Sequence, residues 1–238
     1  MLLQERIEQC VEPTLKRLRN SLEKRRSVKE MSNINLHLGD CSEAMKEMPD
    51  NAYDLAIVDP PFGIGNFVQT GGNVRGERVD WNDSTPSEEY FKELKRISKN
   101  RIIFGANYYN CFEEKGGAIV WIKNQPMPNF SKAVIASCSF HKKIETYTQT
   151  WTNFVHKGRT TDHPCEMPVS IYEWILDNYA KQGDKILDTH LGSGSIAIAC
   201  HNRKFDLDAW EIDEKYYNNA VERLEDHKSQ LTIFDIIG

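Results

Sequence analysis

The chain has 238 residues, of which 39% are hydrophobic and 27% charged, with a formal charge of −5; this is the profile of a protein that buries one sizeable core in water. No apolar run approaches the roughly 20 residues that cross a bilayer, and the N-terminus, with Gln4, Glu5 and Glu8, lacks a signal-peptide profile. Six cysteines (10, 41, 111, 138, 165 and 200) without C-x-x-C spacing argue against a disulfide frame or a zinc site, so a reduced, cytoplasmic protein without a metal is expected; no ligand spacing supports a centre joining His163, Cys165 and His190.

In chain order, residues 1–31 read as an N-terminal helical appendage. Pro13 suits a first helical turn, Leu15, Leu18 and Leu22 share one face, and the rest of that helix is basic. The body, 32–228, then alternates strands and helices. Strands are expected near 34–38, 54–59, 101–105, 118–122, 185–188 and 205–210, and helices near 41–48, 87–99, 168–181, 194–202 and 214–228. Such alternation predicts an α/β fold with a mostly parallel sheet and helices on both faces. Two stretches are read as irregular: a mobile loop at 63–86 holding five glycines, and residues 124–165 with Phe130, Phe140, Tyr147, Trp151 and Phe154 among basic and polar neighbours. Residues 229–238 form a tail.

The most informative stretch is Asp59-Pro60-Pro61-Phe62, which closes the apolar run Leu55-Ala56-Ile57-Val58 and opens the loop Gly63-Ile64-Gly65. A buried strand thus delivers a carboxylate, two rigid prolines and an aromatic ring to the rim of a sheet. That set suits methylation of an amino group on a nucleobase. The amine's lone pair is delocalised into the ring; a carboxylate and a fixed carbonyl that accept its N–H hydrogens favour the pyramidal geometry that frees it. Proline's fixed φ, and the extended geometry imposed on the residue before it, hold the carbonyl in place. The ring of Phe62 can stack on a base rotated out of the helix.

Downstream, Gly183-Asp184-Lys185-Ile186-Leu187-Asp188-Thr189-His190-Leu191-Gly192-Ser193-Gly194-Ser195 reads as a strand ending in an acid, then a G-x-G turn entering a helix. Glycines at such a turn let the backbone approach a ligand closely. A second strand, Leu207 to Trp210, ends in Glu211, a carboxylate suited to ribose hydroxyls.

Taken together, these segments resemble the beta-class S-adenosylmethionine-dependent DNA amino-methyltransferases, whose D-P-P-Y/F motif precedes the cofactor motif in a circular permutation of the usual order. The resemblance spans roughly residues 33–228. It takes in Gly39-Asp40, Asp54, the run Arg101-Ile102-Ile103-Phe104-Gly105-Ala106-Asn107-Tyr108-Tyr109, the run Gly117-Ala118-Ile119-Val120-Trp121-Ile122-Lys123, His163-Pro164, Tyr216 and Arg223. It implies a circularly permuted Rossmann-like methyltransferase fold and direct methyl transfer from S-adenosylmethionine to the N6 amine of adenine in double-stranded DNA. Asp59, Pro60, Pro61 and Phe62 would form the catalytic motif. Asp188, His190, Gly192, Gly194 and Ser195 would surround the cofactor's methionine part, with Glu211 at the ribose and Asp40 near the adenine.

Cytosine N4 is the alternative target, and a non-catalytic DNA-binding module that kept the fold is the rival from another class. The chain departs from the family pattern where His163-Pro164-Cys165-Glu166-Met167-Pro168 stands for H-P-T-Q-K-P, and where Thr189 and His190 replace the proline and phenylalanine of D-P-F-x-G-S-G-T. DNA phosphates are expected to meet basic clusters at Lys92, Lys95, Arg96, Lys99 and Arg101, at Arg75 and Arg78, and at Lys142, Lys143, Lys157 and Arg159. The loop 63–86 is expected to close over DNA and base, and 124–165 to read the recognition sequence, with a homodimer supplying further contacts. The tail Gln230-Leu231-Thr232-Ile233-Phe234-Asp235 resembles the Q-L-x-L-F peptide that docks on the bacterial sliding clamp.

Overall fold

A computed structural model of the chain describes residues 32–65, 83–124, 131–149, 163 and 165–237, without the side chains of 231–237. The chain divides into two compact units, Met1–Ser32 and Asn33–Gly238, and every element below belongs to the second. The expected helix within 1–31, most of the loop 63–86, and Arg75, Arg78, Phe130, Trp151, Phe154, Lys157 and Arg159 lie outside the described residues.

The elements run β1 (Ile34–Leu38), α1 (Cys41–Glu47), β2 (Tyr53–Val58), α2 (Glu88–Ile97), β3 (Ser98–Phe104), α3 (Ala106–Tyr109), β4 (Ala118–Ile122), β5 (Ala133–Cys138), β6 (Ile144–Thr148), α4 (Val169–Tyr179), β7 (Lys185–Asp188), α5 (Ser195–Arg203), β8 (Asp206–Glu211) and α6 (Glu214–Ile237). The strands form one sheet in the order β1-β8-β7-β2-β3-β5-β4-β6. Every pairing is parallel except those of β5 with β3 and β4.

Buried on both faces, β2 reads as a continuous apolar run. Leu55, Ile57, Ile102, Phe104, Ile119 and Trp121 pack on one face against Ile171, Ile175 and Leu176 of α4 and Ile196, Ala197 and Cys200 of α5. Ala56, Val58, Ile103 and Leu187 pack on the other against Met45 of α1 and Tyr90, Leu94 and Ile97 of α2. Local signals fix the helix starts. The Asp40 carboxylate accepts from the Ser42 N–H (2.8 Å) at α1, and the Ser87 hydroxyl accepts from the Tyr90 N–H (3.3 Å) at α2.

Because seven strands point the same way, their carboxyl ends share one edge of the sheet. That edge carries Asp40 after β1, Asp59 after β2, Gly105 after β3, Lys123 after β4, Asp188 at the end of β7 and Glu211 at the end of β8. The chain leaves β7 toward β8 and β1, and leaves β2 toward β3, so Asp188 and Asp59 end the two strands that flank the topological switch point, where open α/β sheets bind ligands.

Two expectations need correction. The stretch 124–165 is not irregular throughout, since it contains β5 and β6. β5 is built from small residues, Ala-Val-Ile-Ala-Ser-Cys, that fit between two neighbouring strands, and β6 alternates as an edge strand does. In addition, α6 does not stop at 228; its backbone stays helical to Ile237. The segment Gln230–Asp235 is therefore helical, and it would have to unwind to enter a groove as an extended peptide.

Candidate active site

Asp59 leaves β2 just past the buried Val58, and its Oδ1 is sealed from solvent without a hydrogen-bond partner. Burial raises its carboxyl to about 7, against the opposing pull of the Lys123 ammonium. A buried acceptor left unpaired costs stability, and such an atom at a strand end is the signature of a ligand position.

The prolines that follow place the Pro60 carbonyl, which accepts the hydroxyl proton of Tyr109. One lone pair of that carbonyl is therefore committed and one remains. The Phe62 ring stacks on Tyr108, with centroids 4.9 Å apart and planes 17° from parallel, and meets Tyr109 edge-on at 6.2 Å. Gly105 makes the arrangement possible: a Cβ there would collide with the Phe62 ring, and its φ of +75° suits glycine. Tyr108, Tyr109 and Lys123 lay within runs matched to the family, but nothing in their spacing assigned them these contacts.

On the neighbouring strand Asp188 is 2% exposed, and it accepts from the His190 N–H (2.9 Å). Burial pushes its carboxyl up to about 8, with Asp59 and Glu211 adding repulsion. The substituted turn proves internally satisfied. The Tyr90 hydroxyl and the Thr189 hydroxyl are hydrogen-bonded at 2.6 Å, and the Thr189 hydroxyl and His190 Nδ1 at 2.9 Å. Tyr90 also meets the His190 ring edge-on at 5.5 Å. Burial lowers the imidazole to about 4, so at neutral pH His190 is an uncharged ring at the position where the family pattern has phenylalanine.

The glycine turn is shaped by packing. A Cβ on Gly194, whose φ is +76°, would sit 2.9 Å from the Ala220 Cβ of α6, so glycine there also permits the close approach of α5 and α6. Gly192 instead lends its N–H to the Glu211 carboxylate (2.7 Å), which also accepts from the Asp213 N–H (3.0 Å). Ser195 is 2% exposed, and its hydroxyl is engaged by Arg223 (3.0 Å) and Ser193 (3.1 Å). Arg223 also donates to the Ser193 carbonyl and pairs with Glu166 (2.7 Å), which ties the segment before α4 to the turn.

Among the described residues, the basic side chains expected to meet phosphate do not gather here. Lys99 lies near the amino end of β3, at the opposite edge of the sheet from Asp59, and Arg101, in the middle of β3, donates back toward that end to the Ser98 carbonyl. Their charges are spent on acids: Lys99 on Asp54 (2.6 Å), Arg101 on Glu113 (2.7 Å), and Arg96 on Glu93 and Asp50. Lys142 and Lys143 fall in the turn entering β6 at that same edge, and Lys143 pairs with Glu145. Among the described residues, no three His, Cys, Asp or Glu side chains are gathered as a metal site, and no helix is long and apolar enough to cross a membrane.

The chain is similar to several known proteins. The family model N6_N4_Mtase, described as DNA methylase, matches residues 123–222. The type II methyltransferase M.HpaI of Haemophilus parainfluenzae is 23% identical over 237 residues, which cover 82% of this chain and 74% of that protein. A crystal structure of an M1.HpyAVI–SAM complex superposes with a TM-score of 0.55 at 18% identity, over 80% of this chain and all of the other. The cytosine-N4-specific PvuII DNA methyltransferase superposes with a TM-score of 0.53 at 12% identity, over 84% of this chain and 93% of its own.

Proposed function

Because the chain belongs to the S-adenosylmethionine-dependent DNA amino-methyltransferases, we propose that it methylates the exocyclic N6 amine of adenine in DNA. The observation that carries this reading is the unpartnered Asp59 Oδ1, held at the switch point beside the Asp188 turn.

The residues present fit the cofactor. Asp40, Asp188 and Glu211 stand along one edge as acceptors for an ammonium group and for ribose hydroxyls, and His190 adds a neutral ring. S-adenosylmethionine supplies a methyl group already activated by its sulfonium, so no covalent enzyme intermediate is needed and the protein's task is alignment.

Asp59 accepts one N–H of the target amine through its free oxygen. Pro60 accepts the other through the lone pair that Tyr109 leaves available. Phe62 and Tyr108 offer flat faces for the base. As the N–C bond forms, the C–S bond breaks and its electron pair stays on sulfur. The product amine then sheds one proton, which Asp59, poised near neutrality, takes up and returns to water.

The D-P-P-F form of the motif supports adenine. Cytosine N4 is the second reading, supported by the likeness to the cytosine-specific PvuII enzyme, because both amines pose the same chemical problem. The non-catalytic rival loses its main support, since Thr189 and His190 form a satisfied, uncharged turn. Incubation with methyl-labelled S-adenosylmethionine and unmethylated DNA, followed by digestion to nucleosides, tests the proposal. Label is expected in N6-methyldeoxyadenosine. Label in N4-methyldeoxycytidine would correct the base, and an unlabelled digest would contradict the proposal.

A further inference from the structure

The contacts among Tyr90, Thr189 and His190 fix more than the shape of the glycine turn. Tyr90 and Thr189 are buried, and among the described residues neither hydroxyl has a hydrogen-bond partner outside this set. A neutral imidazole carries one proton, on Nδ1 or on Nε2. Were it on Nδ1, that N–H would donate to Thr189, and the two hydroxyls could satisfy only one of their own protons. One buried O–H would be stranded. With the proton on Nε2 every group is matched: Tyr90 donates to Thr189, and Thr189 donates to Nδ1. The hydrogen bonding therefore selects the Nε2–H tautomer.

That N–H has no partner among the described residues, and the ring is only partly buried. Most backbone donors of the turn are already committed. The His190 N–H goes to Asp188 (2.9 Å), Leu191 to the Trp210 carbonyl (2.8 Å), Gly192 to Glu211 (2.7 Å) and Gly194 to the Leu191 carbonyl (3.0 Å). The strand ends beside the turn are acidic, with Asp188, Glu211 and Asp40, and Asp40 is near enough to His190 for its charge to be felt. Such an edge suits an ammonium group and hydroxyls, and it repels a carboxylate. A zwitterionic amino-acid group bound here needs a donor as well, and the His190 ring has one to give.

We propose that Thr189, itself held by Tyr90, is a positioning residue that fixes His190 as the Nε2–H tautomer, and that this N–H donates to the carboxylate of the cofactor's methionine part. The assignment rests on the amino-methyltransferase reading of this site. It adds a hydrogen-bond donor where the family pattern has a phenylalanine ring.

The test uses the full chain with 15N-labelled histidine, assigned through His190→Phe, in long-range 1H–15N NMR spectra that distinguish the two tautomers. Wild type is expected in the Nε2–H form, and saturation with S-adenosylmethionine should shift the Nε2 resonance. Thr189→Val removes the donor to Nδ1 and should bring in the Nδ1–H form, whereas Thr189→Ser should keep the wild-type tautomer. Tyr90→Phe, which frees the Thr189 oxygen to accept from Nδ1, replaces the valine variant if that does not fold. Calorimetry gives the second readout. His190→Phe should weaken S-adenosylmethionine binding roughly 10-fold but that of decarboxylated S-adenosylmethionine by less than about 2-fold, since only the first brings a carboxylate. An Nδ1–H tautomer in the wild type, or equal losses for the two ligands, would overturn the assignment. A wild type that binds neither ligand would overturn it together with the cofactor reading of the turn. Binding without methyl transfer to DNA would count against the function alone.

Discussion

The hydroxyl of Tyr109 donates to the carbonyl oxygen of Pro60, joining the short helix after β3 to the catalytic motif 49 positions earlier. The two prolines fix the backbone before and after this carbonyl, and Tyr109 fixes the carbonyl itself. One lone pair is left to meet the target amine in a set orientation. Tyr109→Phe keeps the ring against Phe62 and removes only the donor. It is expected to lower kcat roughly 5-fold, the equivalent of about 1 kcal/mol for one hydrogen bond. Cofactor affinity should not change. Steady-state kinetics with calorimetric binding checks both.

The role proposed for Asp59 comes at a cost to the fold. Its Oδ1 has no partner, and Asp188 adds repulsion at the neighbouring strand end. Asp59→Ala is therefore expected to stabilise the protein by about 1 kcal/mol and to raise Tm by roughly 2–4 °C, as removal of a strained functional group does. Thermal unfolding at pH 8, where the carboxylate is mostly charged, measures it. A lowered Tm would show that Asp59 has a structural role.

Binding of the cofactor should release a proton. Asp188 is held at about 8 by burial, so at pH 7 it is mostly protonated. A cationic ligand beside it favours the carboxylate and lowers that value. Calorimetry at pH 7 in buffers of different ionisation enthalpy should show release approaching one proton, and Asp188→Asn should abolish it. A binding enthalpy independent of buffer would contradict the assignment of Asp188 to the cofactor.

At the amino edge, Asp208 is 7% exposed and gathers Lys185 (2.7 Å), Asn35 (2.7 Å) and the Tyr53 hydroxyl (2.9 Å), linking strands β1, β2, β7 and β8. Burial alone would raise its carboxyl, but these donors outweigh burial and hold it below the usual value. The stabilisation is therefore fully present above the unfolded value of about 3.9 and disappears as pH falls through the lower folded value. Asp208→Ala should cost about 2–3 kcal/mol at pH 7, because it strands three donors, one of them a half-exposed lysine, and less below pH 3. Denaturant unfolding at the two pH values checks the sign.

The sequence carried the strand ends that matter. Leu55–Val58 and Ile186–Leu187 are apolar runs and Leu207–Trp210 is an apolar stretch broken by Asp208; they are closed by Asp59, Asp188 and Glu211, and in a parallel sheet such closures share an edge. The partners of those acids were less legible. Tyr109 reaches Pro60 because α3 follows β3, the parallel neighbour of β2, and Lys123 leaves the same edge only because β5 runs antiparallel between β3 and β4 and returns β4 to the common direction. β5 itself was hidden by its small residues, which signal a strand only when both neighbours are known. Charge misled for the opposite reason. Lys99 and Arg101 cluster in sequence, yet Asp54 and Glu113, 45 and 12 residues away along the chain, neutralise them. Thr189 and His190 depart from the family pattern in sequence, and Tyr90, 99 residues from Thr189, completes their hydrogen bonding in the fold.

The central claim is that the unpartnered Asp59 oxygen accepts the target amine. The most direct test is a single-turnover measurement with preformed cofactor complex and saturating DNA, comparing wild type with Asp59→Ala. The account predicts a fall in the transfer rate of at least roughly 100-fold, in the range seen for loss of an electrostatic contact made in the transition state, with cofactor affinity retained. A rate within a few-fold of wild type would contradict it and move the acceptor of the amine away from Asp59.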